Sequence, residues 1–190
     1  MNTTLRLRKG SMLNSKLQFT TKDDWFTPKY IYDFFNYGSI FPIDYDPCTT
    51  KEQAKRFGIK NYDTIESDGL KSNWFNYHHL WINPPFSKKF EFLEKACELI
   101  RCTKEYEFRT VFIVLPFESL DTKKFHEIIG ELKYSLHLFN GRINYENGKG
   151  KSPAFATTVV EIKSGNFLQR SVIHPVNLKR VKEIWEDKDE

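Results

Sequence analysis

Hydrophobic positions along this chain fall into short runs separated by polar or proline-marked breaks. Residues 1–20 are polar and aperiodic and read as a flexible arm. Tyr30, Ile31, Phe34 and Phe35 then mark one face of a helix. Thr27 is placed to cap it, Pro28 suits its first turn and Gly38 its stop. Residues 40–46 predict a short strand that ends in acid and is broken by Pro47. A helix over 50–57, a weaker strand over 61–65 and a turn at Asp68-Gly69 follow. His79-Leu80-Trp81-Ile82 reads as a buried strand ending at Asn83-Pro84-Pro85. Phe90, Leu93, Ala96, Cys97 and Ile100 recur at helical spacing and predict a long helix over 87–101. Val111-Phe112-Ile113-Val114-Leu115 is almost wholly apolar, the pattern of a central parallel strand covered on both faces, and Pro116 ends it. A helix over 121–129, strands over 136–139 and 156–162 with a glycine-rich loop between them, and a terminal helix over 176–185 complete the pattern.

Strands alternating with helices predict an α/β fold, with a mostly parallel central sheet and helices on both faces. Residues 21–190 suit a single domain behind the arm. In such sheets ligands bind beyond the carboxyl ends of the strands. Asp44 and Asp46 close one predicted strand and Asn83-Pro84-Pro85 another, so both groups are expected at that edge.

Composition narrows the class. Hydrophobic residues make up 39% and aromatics 16%, including 17 Phe, too many for a disordered chain. No apolar run reaches the roughly 18 residues that cross a bilayer, and Met1 to Lys9 lacks the apolar centre of a signal peptide. The chain therefore reads as soluble and intracellular. Cys48, Cys97 and Cys102 are odd in number and form no CxxC pair, which argues for reduced structural thiols. The net charge of +4 is compatible with a polyanionic partner. Two stretches carry it best: Arg6, Arg8, Lys9 and Lys16 on the arm, and Arg142, Lys149 and Lys151 in the glycine-rich loop. Either could equally be a solvated, flexible segment.

Asn83-Pro84-Pro85-Phe86 is the motif with chemistry in it. An amine conjugated to an aromatic ring, such as the exocyclic amine of adenine, is a poor nucleophile because its lone pair is delocalised. Two acceptors placed on its two N–H bonds favour a pyramidal nitrogen and stabilise the charge that develops on methylation. The Asn83 amide oxygen and the Pro84 carbonyl make such a pair. Proline removes competing donors and presets the carbonyl direction. Phe86 offers a ring on which a base, flipped out of its duplex, can stack. Asn-Pro-Pro is also an ordinary turn and Phe86 an ordinary core residue. The position after an apolar strand and before a long helix favours the chemical reading.

With these pieces in order, the chain resembles the small phage-type (Dam-like) DNA adenine-N6 methyltransferases from about Asp24 to Lys163. The matching segments are Asp24-Trp25-Phe26-Thr27-Pro28, Ile43-Asp44-Tyr45-Asp46-Pro47-Cys48, Asp68-Gly69-Leu70 with Trp74, Trp81 to Ser87 around the tetrapeptide, and Gly141-Arg142-Ile143. The resemblance implies a Rossmann-like methyltransferase fold, S-adenosylmethionine as methyl donor, adenine in double-stranded DNA as acceptor, and a cytoplasmic location, the host's if a phage encodes it. It implies Thr27 and Pro28 near the donor's methionine end, Asp44 as the acid closing the first strand with Asp46 as its alternative, and Asp68 facing the donor's adenine. Asn83, Pro84, Pro85 and Phe86 would be the catalytic tetrapeptide, and Arg142 to Lys151 the favoured DNA-contacting loop. One departure stands out: the turn Asp46-Pro47-Cys48-Thr49-Thr50 holds no glycine, where many methyltransferases have a glycine-rich turn.

Other polar residues read more plainly. Asp44 and Asp46 lack a third acid or histidine at helpful spacing, so no metal is expected there. His78 and His79 are adjacent and point to opposite sides of a strand. Of Trp25 and Trp74, at least one is a candidate to line the donor pocket; Glu118, after Pro116 at a strand end, is a candidate for the cleft rim, with a solvated charge the favoured alternative. Two rival functions stay open on sequence alone. One is a methyltransferase for another planar nitrogen, in RNA guanine or protein glutamine. The other is an inactive DNA-binding module of the same fold, motivated by the missing glycines.

Overall fold

A computed structural model describes residues 25–39, 41–145, 154–165 and 171–186. The arm over 1–20 lies outside them, as do Lys149 and Lys151. In chain order the elements are α1 (Lys29–Gly38), β1 (Tyr45–Asp46), α2 (Lys51–Phe57), β2 (Asn61–Tyr62), β3 (His79–Ile82), α3 (Lys89–Arg101), β4 (Thr110–Pro116), α4 (Lys123–Ile129), β5 (Tyr134–Phe139), β6 (Thr157–Lys163), β7 (Val172–Val176) and α5 (Leu178–Trp185).

The seven strands form one sheet in the order β2-β1-β3-β4-β6-β5-β7. Only β6 runs against the rest, inserted antiparallel between β4 and β5. Both faces are covered, and the period of two along each strand divides the core in two. Leu80, Ile82, Val111, Ile113 and Leu115 pack with Phe92, Leu93, Ala96 and Cys97 of α3 and Phe125 of α4. Trp81, Phe112, Val114 and Val159 pack on the other side with Tyr30, Ile31 and Phe35 of α1 and Val181 of α5. Leu80, Trp81 and Ile82 are fully buried, so truncating Leu80 or Ile82 to alanine would cost about 2–5 kcal/mol.

The strand order also locates the ligand edge. From β1 the chain goes outward to β2, then crosses back to place β3 on the other side of β1. The crevice between the ends of β1 and β3 is therefore the topological switch point. This is the mostly parallel α/β sheet that alternating strands and helices predict, and the Rossmann-like arrangement that the resemblance implies.

Several local expectations change. Thr27 does not cap α1: Pro28 holds the N-cap position, and its carbonyl accepts from Ile31 and Tyr32. β1 is only two residues long, because the Ile43 amide donates to the Asn36 side chain, which takes it out of any ladder. β2 stops at Tyr62, since the next residues turn back toward Asp46 and Thr49. A single 3-10 turn at Phe86–Lys88 precedes α3. Val176 ends β7 instead of opening the last helix, which starts at Leu178 behind an Asn177 cap.

Candidate active site

A cleft of about 620 Å³ opens beyond the carboxyl ends of β1, β2 and β3. Four segments far apart in the chain build it. Trp25, Phe26 and Thr27 form the wall that leads into α1, and Asp46 to Gln53 form the turn between β1 and α2. Tyr62, Thr64, Asp68 and Gly69 lie opposite, and Asn83, Pro85, Ser87, Lys88 and Phe92 close the fourth side.

The glycine-free turn is explained by its side chains. Asp46 Oδ1 accepts from the Cys48 amide at 3.0 Å, closing the turn over Pro47. Asp68 (φ 56°) is the only non-glycine residue among those described with positive φ, so nothing from Asp46 to Thr50 needs a left-handed backbone. The glycine requirement falls instead on Gly69. A Cβ there would stand 1.8 Å from the Pro47 carbonyl oxygen, so these two loops touch backbone to backbone. The Gly69 carbonyl accepts from the Trp74 indole at 2.8 Å, and the Lys95 ammonium reaches the Leu70 and Ser72 carbonyls at 2.6 Å each.

Burial pushes the Asp46 carboxyl up to about 7, against the Cys48 hydrogen bond that pulls it down. Burial likewise raises the Cys48 thiol, with the Asp46 carboxylate beside it adding to the shift. Asp68 is half-buried and held below the usual range by its bond to Lys71, 3.0 Å away. Thr27 is buried, and its hydroxyl has no hydrogen-bond partner among the described residues although it lines the cleft.

Asn83 stands between this cleft and a second, much smaller recess. Its amide nitrogen donates to the Trp25 carbonyl, which fixes the side chain and leaves Oδ1 without a hydrogen-bond partner among the described residues. The recess is lined by Trp25, Asn83, Pro84, Phe86, Tyr145 and Phe155, with Lys89 and the end of β4. Its volume is about 10 Å³, because the rings of Phe86 and Phe155 meet within it at 4.4 Å between centroids. Trp25 packs edge-on against Tyr145 at 5.7 Å, and the Tyr145 hydroxyl shares a 3.1 Å hydrogen bond with Thr157.

The structure brings together Thr27, Asp46, Asp68, Asn83 and Pro85 at the cleft and Pro84 and Phe86 at the recess. Asp44 is not with them. Its carboxylate accepts from the His78 and His79 amides at 3.0 and 2.9 Å, which ties it to the start of β3. Of the two acids, Asp46 is therefore the one facing the cleft. Pro28 lies one residue past the lining, at the head of α1. Arg142 is exposed on the segment that carries Tyr145 to the recess. Trp25 lines both spaces, whereas Trp74 is core. His79 is buried and held low by that burial. Sequence reasoning missed Gly69, Tyr145 and Phe155 as site residues; the segments around the last two offer no periodicity to mark them. Among the described residues, the one trio of close metal-type donors is His137, Glu161 and His174 on β5, β6 and β7. There Glu161 is already bonded to His137 at 3.0 Å and to Lys163 at 2.5 Å.

A switch-point cleft with facing acids, joined at an Asn-Pro-Pro-aromatic strand end to a recess lined with rings, is the layout of a Rossmann-like methyltransferase. The model of the DNA N-6-adenine-methyltransferase (Dam) family matches residues 14–184, and the chain belongs to that family. It is similar to the DNA N-6-adenine-methyltransferase of Haemophilus phage HP1, with 25% identity over 138 residues covering 73% of this chain and 75% of the relative. Among solved structures it is similar to a putative class I S-adenosylmethionine-dependent methyltransferase from Listeria monocytogenes. That likeness has a TM-score of 0.46 at 10% identity and covers 80% of this chain but only 54% of the other, about half its length. A predicted O-methyltransferase from Agrobacterium tumefaciens is similar with a TM-score of 0.40 at 12% identity, over 70% of this chain and 66% of that one. Likenesses this distant add nothing to what the sheet order already shows.

Proposed function

We propose that this chain methylates the exocyclic amine of adenine in double-stranded DNA, with S-adenosylmethionine held in the large cleft and the target base in the recess beside Asn83. The observation that carries the reading is the Asn83 side chain, anchored through its nitrogen to the Trp25 carbonyl in a residue that lines both spaces. Family membership favours DNA adenine over RNA guanine or protein glutamine as acceptor.

The residues of the cleft suit the donor. Its volume lies within the roughly 300–1,000 Å³ of small-molecule sites. The unpartnered Thr27 hydroxyl and the Asp46 and Asp68 carboxylates offer hydrogen bonds to hydroxyls and an ammonium, and Tyr62, Ile65 and Phe92 offer apolar walls. When bound there, S-adenosylmethionine supplies an electrophilic methyl group on a good leaving group. Asn83 Oδ1 and the Pro84 carbonyl then accept from the two N–H bonds of the adenine amine, aiming its lone pair and stabilising its developing charge. Pro85 keeps the strand end free of competing donors. Phe86 stacks against the base once Phe155 has given way. No strong general base is required, because the amine becomes acidic only after methylation. Arg142, Lys149 and Lys151 contact the DNA backbone.

The test is to express the chain, digest host DNA to nucleosides and quantify N6-methyladenine, beside Asn83→Ala. Wild type should produce the modified base. The variant should lose it by several orders of magnitude while keeping donor affinity within about twofold, since the lost contact belongs mainly to the transition state. Equal activity in both would sink the assignment.

A further inference from the structure

Beside the recess, two lysine ammonium groups converge on one ring. Lys89 opens α3 and lines the recess. Its Nζ lies 4.9 Å from the centroid of Phe90, 5.2 Å from that of Phe86 and 3.3 Å from the Phe86 carbonyl oxygen. Lys124 reaches over from α4, with Nζ 5.3 Å from the same Phe90 centroid. Among the described residues, neither has a carboxylate within ion-pair distance, whereas the neighbouring Lys123 is paired with Glu127 at 3.3 Å. The negative faces of the rings offset these two positive charges only in part, so an anion at this rim would gain charge-assisted contacts.

The position says which anion. Tyr145, on the segment that follows Arg142, and Lys89 both line the base recess. A strand that turns a nucleotide into the recess leaves its flanking phosphates at the rim. We propose that Lys89 and Lys124 form a phosphate clamp that grips the target strand next to the flipped adenine, so that DNA lies across the rim of α3 and α4 as well as the Arg142 segment. This rests on the adenine methyltransferase reading and adds to it a second DNA-contacting face. Lys89 also presses on Phe86, so the clamp holds the stacking ring and the strand with one side chain.

The test uses the full chain and a labelled duplex of about 30 base pairs taken from DNA that the wild type methylates. Lys89→Met and Lys124→Met keep the aliphatic stems and remove the charges; Lys89→Arg and Lys124→Arg keep the charges. Each methionine variant should raise Kd and the KM for DNA about 3- to 10-fold. Each should also lower the slope of log affinity against log salt by about 1, and the double variant by about 2. In Lys124→Met, at a position that lines neither space, the kcat at saturating DNA and the affinity for S-adenosylmethionine should stay within about twofold, and the arginine variants should recover wild-type KM. An unchanged salt slope in the double methionine variant, or a fall in kcat at unchanged KM in Lys124→Met, overturns the clamp. A wild type that methylates no DNA sinks the methyltransferase reading instead, and the salt slope on any duplex still decides the clamp.

Discussion

Asp46 carries a conflict between packing and binding within a single side chain. The carboxyl closes the turn after β1 and faces the cleft, yet its burial pushes it up to about 7, with the Asp63 carboxylate adding to the rise. An unfolded aspartate ionises near 3.9. Between about pH 4 and 7 the folded chain therefore keeps a proton that the unfolded chain has released, and stability falls as pH rises through that window. The loss is on the order of a few kcal/mol and is complete above pH 7. Asp46→Asn keeps the acceptor for the Cys48 amide without the charge. In urea unfolding it should match wild type near pH 4 and exceed it at pH 8, while binding S-adenosylmethionine more weakly. Parallel pH profiles for the two proteins would show that Asp46 is not charged at the expense of the fold. That an acid at this strand end matters is legible in the sequence. Which acid faces the cleft is not, because Asp44 is claimed by the His78 and His79 amides at the start of β3, 34 and 35 residues downstream.

The turns between elements decide how the cleft is closed. The turn after β1 holds no glycine; the Asp46 side chain closes it, and Gly69, on another loop of the cleft, makes the close approach to Pro47. Gly69→Ala puts a Cβ onto the Pro47 carbonyl, with both contacting atoms in backbone, so one loop must move. It should lower donor affinity at least 10-fold in calorimetry and reduce Tm, whereas alanine at the open Gly38 should change neither. Equal donor affinity in Gly69→Ala and wild type would show that the two loops part freely. Helices α2 and α3 are legible because their apolar positions keep a 3.6 period, and β3 and β4 because they are apolar on both faces. Strand β7 is not: four of its five residues are exposed, and it contains Pro175 on a sheet edge, so neither alternation nor an apolar run marks it.

At the scale of the whole molecule, the alternation of elements predicts an α/β sheet, but periodicity contains nothing about the order β2-β1-β3-β4-β6-β5-β7. That order places Thr27, Asp46, Asp68 and Asn83 around one space although they span 57 positions of the chain. A ligand in this cleft bridges α1, the β1–α2 turn, the Asp68-Gly69 turn and the end of β3, and so stabilises the fold as a unit. With S-adenosylmethionine at 100 times its Kd, the gain is about 2.7 kcal/mol. For a chain of this length, Tm should then rise by roughly 5–10 °C. On the proposed reading Asn83 acts on the acceptor base, so Asn83→Ala should keep nearly all of that rise. Thr27→Val should behave in the opposite way. Its buried hydroxyl has no partner among the described residues, so valine should leave the unliganded Tm equal or higher. The donor-induced rise should shrink, as the hydrogen bond that hydroxyl would offer is gone. Differential scanning calorimetry of the three proteins with and without S-adenosylmethionine separates the two roles. A full rise in Thr27→Val, or its loss in Asn83→Ala, would reverse the assignment of donor to the cleft and acceptor to the recess.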